Sequence, residues 1–95
     1  LAKNVQTMRE EILLHFPKST RVSNPSGGSL LWVELPEPND TEQIYQDALA
    51  KNILFPPGRL FSLQHKFTNC MRLSAGTWNS KVVDAIQILG RLCKR

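Results

Sequence analysis

The sequence predicts a small α+β domain in which a short-stranded sheet carries helices packed on one side. Apolar residues repeat at helical spacing near both ends of the chain, and short apolar runs bounded by proline and glycine lie between them. The 95 residues suffice for one modest core but not for two. We therefore expect a single domain over residues 1–95.

The first half of the chain predicts one helix and two strands. The helix covers residues 2–16, and its apolar stripe is Val5, Met8, Ile12 and Phe16. Strands over residues 19–24 and 30–35 follow, with a turn at residues 25–28 between them. Because the second strand is almost continuously apolar, we expect burial on both of its faces, between helices or against another domain. The helical pattern already includes Leu1 without a capping residue, so we expect a fragment of a longer protein.

The second half predicts a helix, a strand, a loop, another strand and a last helix. Asp40 is the expected N-cap of the first helix, and Asn52 is the expected left-handed residue after it. Its expected inner face is Ile44, Ala48 and Leu49. Residues 53–55 predict a buried strand before the turn at 56–58, and residues 70–74 predict the next strand. Thr77 or Asn79 caps the last helix, which gives the order α-β-β-α-β-β-α.

Arg72 is the residue whose position most needs an explanation. Alternation along its strand places Cys70, Arg72 and Ser74 on one face. A guanidinium in mid-strand must meet an acid, a ligand or water, because burying it unpaired is costly. On these grounds two roles remain open: an ion pair with Glu34 or Asp47, or a bidentate clamp on a ligand carboxylate.

Composition and spacing argue against several classes of function. The net charge is +4, but the basic residues are scattered, so charge alone does not indicate a nucleic-acid site. No Cys/His cluster suggests a metal site, and no carboxylate pair or nucleophile is placed for catalysis. No apolar run is long enough to span a bilayer. We expect a cytoplasmic protein in which Cys70 and Cys93 are free buried thiols.

Three motifs together resemble the C-terminal small domain of fold-type I, pyridoxal-phosphate-dependent aminotransferases. They are Pro25-x-Gly27-Gly28-x-x-x-Trp32-x-Glu34-Leu35-Pro36, Pro57-Gly58-x-x-Phe61 and Asn69-x-x-Arg72-Leu73. The residues around Phe61-Ser62 and from Phe67 to Leu73 most resemble the MocR branch of the GntR-type bacterial transcription regulators. Members of that branch join an N-terminal winged-helix DNA-binding domain to an aminotransferase-like body.

The resemblance implies roles for individual residues and for a parent protein. Arg72 would hold the carboxylate of an amino-acid or amine ligand, and Pro57 and Gly58 would line the mouth of the cleft. Pyridoxal 5'-phosphate would be bound in the full-length parent, whose large domain carries the Schiff-base lysine, and none is expected on this fragment. The parent would be a homodimer that reaches DNA only through its N-terminal domain.

Two functions follow from the resemblance. The main one is the effector module of a GntR/MocR-type regulator, with Arg72 as the carboxylate clamp. The alternative is the small domain of a genuine aminotransferase that acts on an amino acid/2-oxo acid pair. We expect no catalytic residue in this chain in either case, and whether the parent is an enzyme stays open.

Overall fold

The fold consists of a small antiparallel sheet and three helices. A computed structural model describes residues 2–24, 28–55, 57–61, 66–76 and 79–94. Within these ranges the helices are α1 (Ala2–His15), α2 (Thr41–Leu49) and α3 (Ser80–Cys93), and the strands are β1 (Arg21–Val22), β2 (Leu30–Glu34) and β3 (Cys70–Ser74). A 3-10 turn covers Gly58–Phe61. The predicted α+β class is confirmed.

The sheet has the order β1-β2-β3, and both pairings are antiparallel. Leu31 lies opposite Leu73 and Val33 lies opposite Met71, and all four side chains are buried. They share one hydrophobic core with α1 and α3 through Met8, Ile12, Ile86 and Leu89. The helices therefore pack on one side of the sheet, as the sequence predicts.

The opposite side of β2 and β3 carries the alternate residues. We call it the open face, and its residues are Leu30, Trp32, Glu34, Cys70, Arg72 and Ser74. Of these six only Cys70 is buried. The prediction that β2 is buried between helices is therefore wrong, because the described helices cover only one side of the sheet. Burial of the open face against another domain stays a prediction.

The predicted strand at residues 53–55 is also wrong. The structure assigns no strand there, and Leu54 is 74% exposed whereas Phe55 is buried. This segment meets the sheet at a single bridge between Pro57 and Met71. Proline has no backbone N–H to donate, which limits the pairing that a strand could extend from this point. Leu49, predicted on the inner face of α2, is exposed.

The helix ends agree with the sequence. Asp40 caps α2 by accepting a hydrogen bond from the backbone N–H of Glu42 at 2.9 Å. Asn79 caps α3 in the same way, accepting from the N–H of Val82 at 3.1 Å. Asn52 has a φ of 62°, the left-handed conformation predicted for it. Thr77, the other candidate cap, lies outside the described residues.

The structure also bears on the cysteines, on metal ligands and on membrane-spanning helices. Cys70 and Cys93 are free and buried, as expected. In the part of the chain that the structure describes, no three His, Cys, Asp or Glu side chains come together as metal ligands. None of the described helices combines the length and apolar character that crossing a membrane requires.

Two buried threonines allow a matched test of hydrogen bonding in the core. Thr41 donates its hydroxyl to the carbonyl oxygen of Thr68 at 3.0 Å, whereas the buried hydroxyl of Thr20 has no partner among the described residues. We expect Thr41→Val to lower the free energy of unfolding by about 1 kcal/mol, because a hydrogen bond is lost. We expect Thr20→Val to be neutral or stabilising, because it removes an unsatisfied polar group.

Urea unfolding of the two variants beside the wild type measures this difference. Equal losses of stability would show that Thr20 has a partner as good as that of Thr41.

Candidate functional site

Arg72 lies at the centre of β3, directly opposite Trp32 of β2, and is half-buried. Its side chain lines a cavity of about 520 Å³ at the edge of the sheet. The cavity lies between β3 and residues 52–55, and α3 provides a third wall. The lining also includes Leu30 of β2, and the walls themselves contribute Leu54, Phe55, Asn79 and Lys81.

The charges around this cavity are positive. Arg72 and Lys81 are charged, and no Asp or Glu is among the described residues that line it. An anion is therefore the charge type that the cavity favours. Arg72 also makes an interaction within the chain, so the ion-pair role and the ligand role both remain open on geometry alone.

An aromatic pair lies beside Arg72 on the open face. The rings of Trp32 and Phe67 meet edge to face, with centroids 5.4 Å apart and an interplanar angle of 88°. Trp32 also hydrogen-bonds to Cys70, and indole can only donate. Since the indole is held by both neighbours, Trp32 forms a fixed wall next to Arg72.

Neither cysteine has the properties of a nucleophile. Burial, followed by the negative charges of Glu34 and Glu37, raises the pKa of Cys70 to about 11, although the hydrogen bond from Trp32 acts in the opposite direction. Burial raises the pKa of Cys93 to about 12. Both thiols are therefore protonated at neutral pH, and only a thiolate reacts readily.

Hydrogen bonds at its N-terminal end fix the position of β3. Leu35 donates its N–H to the carbonyl oxygen of Asn69 at 2.8 Å, and the Asn69 side-chain amide donates back to the carbonyl oxygen of Leu35 at 2.6 Å. The carbonyl oxygen of Thr68 accepts from both the N–H and the hydroxyl of Thr41, at 2.8 and 3.0 Å. The strand is thus tied to β2 and to the first turn of α2. Asn69 opens one of the three motifs, but neither its hydrogen bond to Leu35 nor that of Thr41 to Thr68 has a signal in the local sequence.

Pro57 and Gly58 are both buried and support the same strand. A Cβ atom added to Gly58 would lie 2.7 Å from the carbonyl oxygen of Cys70 and would also collide with the carbonyl oxygen of Phe67. Only glycine allows this approach of the two backbones. Pro57 lines a separate shallow groove with Leu54 and Leu60. The role of Pro57 and Gly58 at the mouth of a cleft stays a prediction.

Comparison with known proteins identifies relatives in two groups. No family model matches the chain. The chain is 30% identical over 93 residues to an uncharacterised HTH-type transcriptional regulator, YdcR of Escherichia coli K12, and the match covers 97% of the chain and 20% of the regulator. It is 31% identical over 93 residues to the 2-aminoadipate transaminase of Thermus thermophilus, covering 97% and 23% of the two chains.

Solved structures agree with these relatives. LysN, the α-aminoadipate aminotransferase of Thermus thermophilus, superposes with a TM-score of 0.82 at 31% identity, over 97% of this chain and 24% of LysN. The valine–pyruvate aminotransferase AvtA of Salmonella typhimurium LT2 gives a TM-score of 0.85 at 25% identity, over 98% and 26% of the two chains. These similarities support a fragment of an aminotransferase-like domain.

The predicted resemblance is confirmed, since aminotransferases and HTH-type regulators are both among the relatives. This aminotransferase-like chain spans about a fifth to a quarter of the length of the relatives described above. The solved LysN structure contains N-(5'-phosphopyridoxyl)-L-leucine.

The raised thiol pKa values predict a loss of stability in alkali. A thiol whose pKa is about 11 or 12 in the folded state and about 9 in the unfolded state stays protonated to a higher pH in the folded chain. Between these values the unfolded state binds fewer protons, so the free energy of unfolding falls as the pH rises from 9 towards 11. Urea unfolding at about pH 8 and about pH 10 measures the decline.

A variant with both Cys70→Ala and Cys93→Ala is the control, because its other titrating groups are the same. We expect a shallower decline for this variant. An equal decline in both proteins would mean that the thiols titrate alike in the folded and unfolded states.

Proposed function

We propose that this chain is the C-terminal small domain of the effector module of a GntR/MocR-type DNA-binding transcription regulator. Arg72 clamps the carboxylate of an amino-acid or amine-derived ligand in this module. The observation that carries the proposal is the position of Arg72, in mid-strand on the open face and in the wall of a positively charged cavity.

The chemistry of arginine suits this role. A planar guanidinium can donate two parallel hydrogen bonds to a carboxylate, and lysine cannot reproduce this fork. β3 holds the backbone of Arg72 through pairing with β2 and through the contacts of Asn69. Such a rigid support reduces the entropy lost when the ligand is bound.

The described residues do not by themselves form a site for pyridoxal phosphate. Lys81 is the lysine of the cavity, but it is exposed in the first turn of α3. No Asp or Glu among the described lining residues could pair with a pyridinium nitrogen. We therefore place the cofactor in the larger part of the parent, which supplies the Schiff-base lysine and the phosphate contacts.

The partners and location belong to the same proposal. The relatives are four to five times longer than this chain, which supports a parent with a large domain that packs beside it. In the regulator, DNA is bound by an N-terminal domain and the parent is a homodimer in the cytoplasm, where two free thiols remain reduced.

A second candidate function is the small domain of a genuine aminotransferase. The transaminase of Thermus thermophilus is as similar to the chain as the E. coli regulator is. Arg72 would then orient the carboxylate of an amino acid or 2-oxo acid during turnover. The full-length parent distinguishes the two functions: binding to DNA upstream of its own gene supports the regulator, and transamination of 2-oxoglutarate by amino acids supports the enzyme.

The clamp itself is tested by Arg72→Lys in the full-length parent. We expect affinity for the carboxylate ligand to fall about tenfold or more, because a two-point charged contact becomes a single one. Isothermal titration calorimetry with the standard L-amino acids and their 2-oxo acids measures the affinities.

Arg91→Lys is the matched control, since Arg91 is exposed in the last turn of α3 and does not line the cavity. Unchanged affinity in the Arg72→Lys parent would contradict the clamp. A large loss of folding stability on Arg72→Ala, without an effect on affinity in Arg72→Lys, would assign Arg72 to an internal ion pair.

A further inference from the structure

We infer that the ligand held by Arg72 is a monocarboxylate with an aliphatic side chain, and that Leu30 and Leu54 select this side chain. The inference rests on the proposed carboxylate role of Arg72 and adds the class of ligand. Its basis is the combination of one half-buried guanidinium with two exposed leucines in the wall of the same cavity.

The two leucines come from separate segments that line the cavity. Leu30 is in β2, paired with Ser74, and is therefore a diagonal neighbour of Arg72 on the open face. Leu54 belongs to the segment that faces the edge of β3. The exposed fractions of Leu30 and Leu54 are 51% and 74%, so both can still bury apolar surface on binding.

Other residues that line the cavity are apolar as well. Phe55, Leu73, Val82 and Ile86 line the cavity, and Phe55, Leu73 and Ile86 belong to the buried core. A ligand with its carboxylate on Arg72 would thus place its other end against hydrocarbon. A volume of about 520 Å³ lies within the range of small-molecule sites, about 300–1,000 Å³.

The charges of the lining residues limit the class of ligand further. Because no Asp or Glu is among the described lining residues, no carboxylate of this wall offers an ion pair to an α-ammonium group. A 2-oxo acid has no such group, and it presents only a carboxylate and an apolar chain. Lys81 is exposed and adds to the positive potential that attracts the acid. Arg72 must share or exchange its existing contact within the chain when the acid binds.

The test compares three 2-oxo acids by isothermal titration calorimetry on the full-length parent. The acids are 4-methyl-2-oxopentanoate, pyruvate and 2-oxoglutarate. We expect the first to bind about tenfold more tightly than pyruvate, since each fully buried methylene strengthens binding by about fourfold and burial here is partial. We expect 2-oxoglutarate to bind no more tightly than pyruvate, because its second carboxylate would meet apolar walls.

Leu30→Ser and Leu54→Ser should each reduce the preference for 4-methyl-2-oxopentanoate to less than about threefold, because each removes part of the apolar wall. Leu14→Ser is the matched control, because Leu14 of α1 is 67% exposed and does not line the cavity. All three sites are at least half exposed, so we expect the variants to fold, and circular dichroism confirms this for each.

The outcomes separate this inference from the proposed function. If all three acids bind equally and depend on Arg72, the clamp is supported and the apolar selection is wrong. If 2-oxoglutarate binds most tightly and Lys81→Ala removes that preference, the ligand is a dicarboxylate and the inference is overturned. If none of the three acids binds, the inference is overturned, and the titrations of the Arg72→Lys parent with L-amino acids then decide whether the clamp is wrong as well.

Discussion

The pairing of β2 with β3 is the constraint on which the other features depend. Its register places Leu31, Val33, Met71 and Leu73 towards the helices and places Trp32 and Arg72 on the open face. A slip of one residue would turn Arg72 into the core and expose Met71. Hydrogen bonds beyond both ends prevent this slip: Leu35 and Asn69 bond reciprocally at one end, and Ala75 donates to Ser29 at the other.

The same pairing gives the two faces of the sheet different roles. One face contributes to a continuous core with α1 and α3, which stabilises a chain of only 95 residues. The other face is available for chemistry because its residues are not needed for that core. Trp32 contacts both Phe67 and Cys70 there, and Arg72 is the half-buried cationic group of the face.

Local patterns in the sequence were sufficient for the helices, their caps and the direction of Arg72. Spacing of three to four residues and alternation of two are properties of neighbouring residues, so they can be read without knowing the fold. The strand predicted at residues 53–55 failed because an apolar run does not show whether a partner strand is available. In the structure only Phe55 of that run enters the core.

The parts of the site that could not be predicted depend on contacts between distant residues. Thr41 and Thr68 are 27 positions apart, and neither has a local signal for the hydrogen bond that joins them. Gly58 was predicted in a turn, but its contact with the backbone of Cys70 follows from how the loop returns to β3. The cavity itself needs five separate segments to converge, namely α1, β2, residues 52–55, β3 and α3.

The reciprocal bond between Leu35 and Asn69 also bears on the order in which the chain folds. These residues are 34 positions apart, and closing a flexible loop of that length costs about 3 kcal/mol of chain entropy. β1 and β2 are joined by a short connection and can pair early, whereas β3 must wait until α2 and the following loop have collapsed. We therefore expect β3, and with it Arg72, to be placed after the β1–β2 pair, so that local unfolding that releases β3 would displace Arg72 while β1 and β2 remained paired.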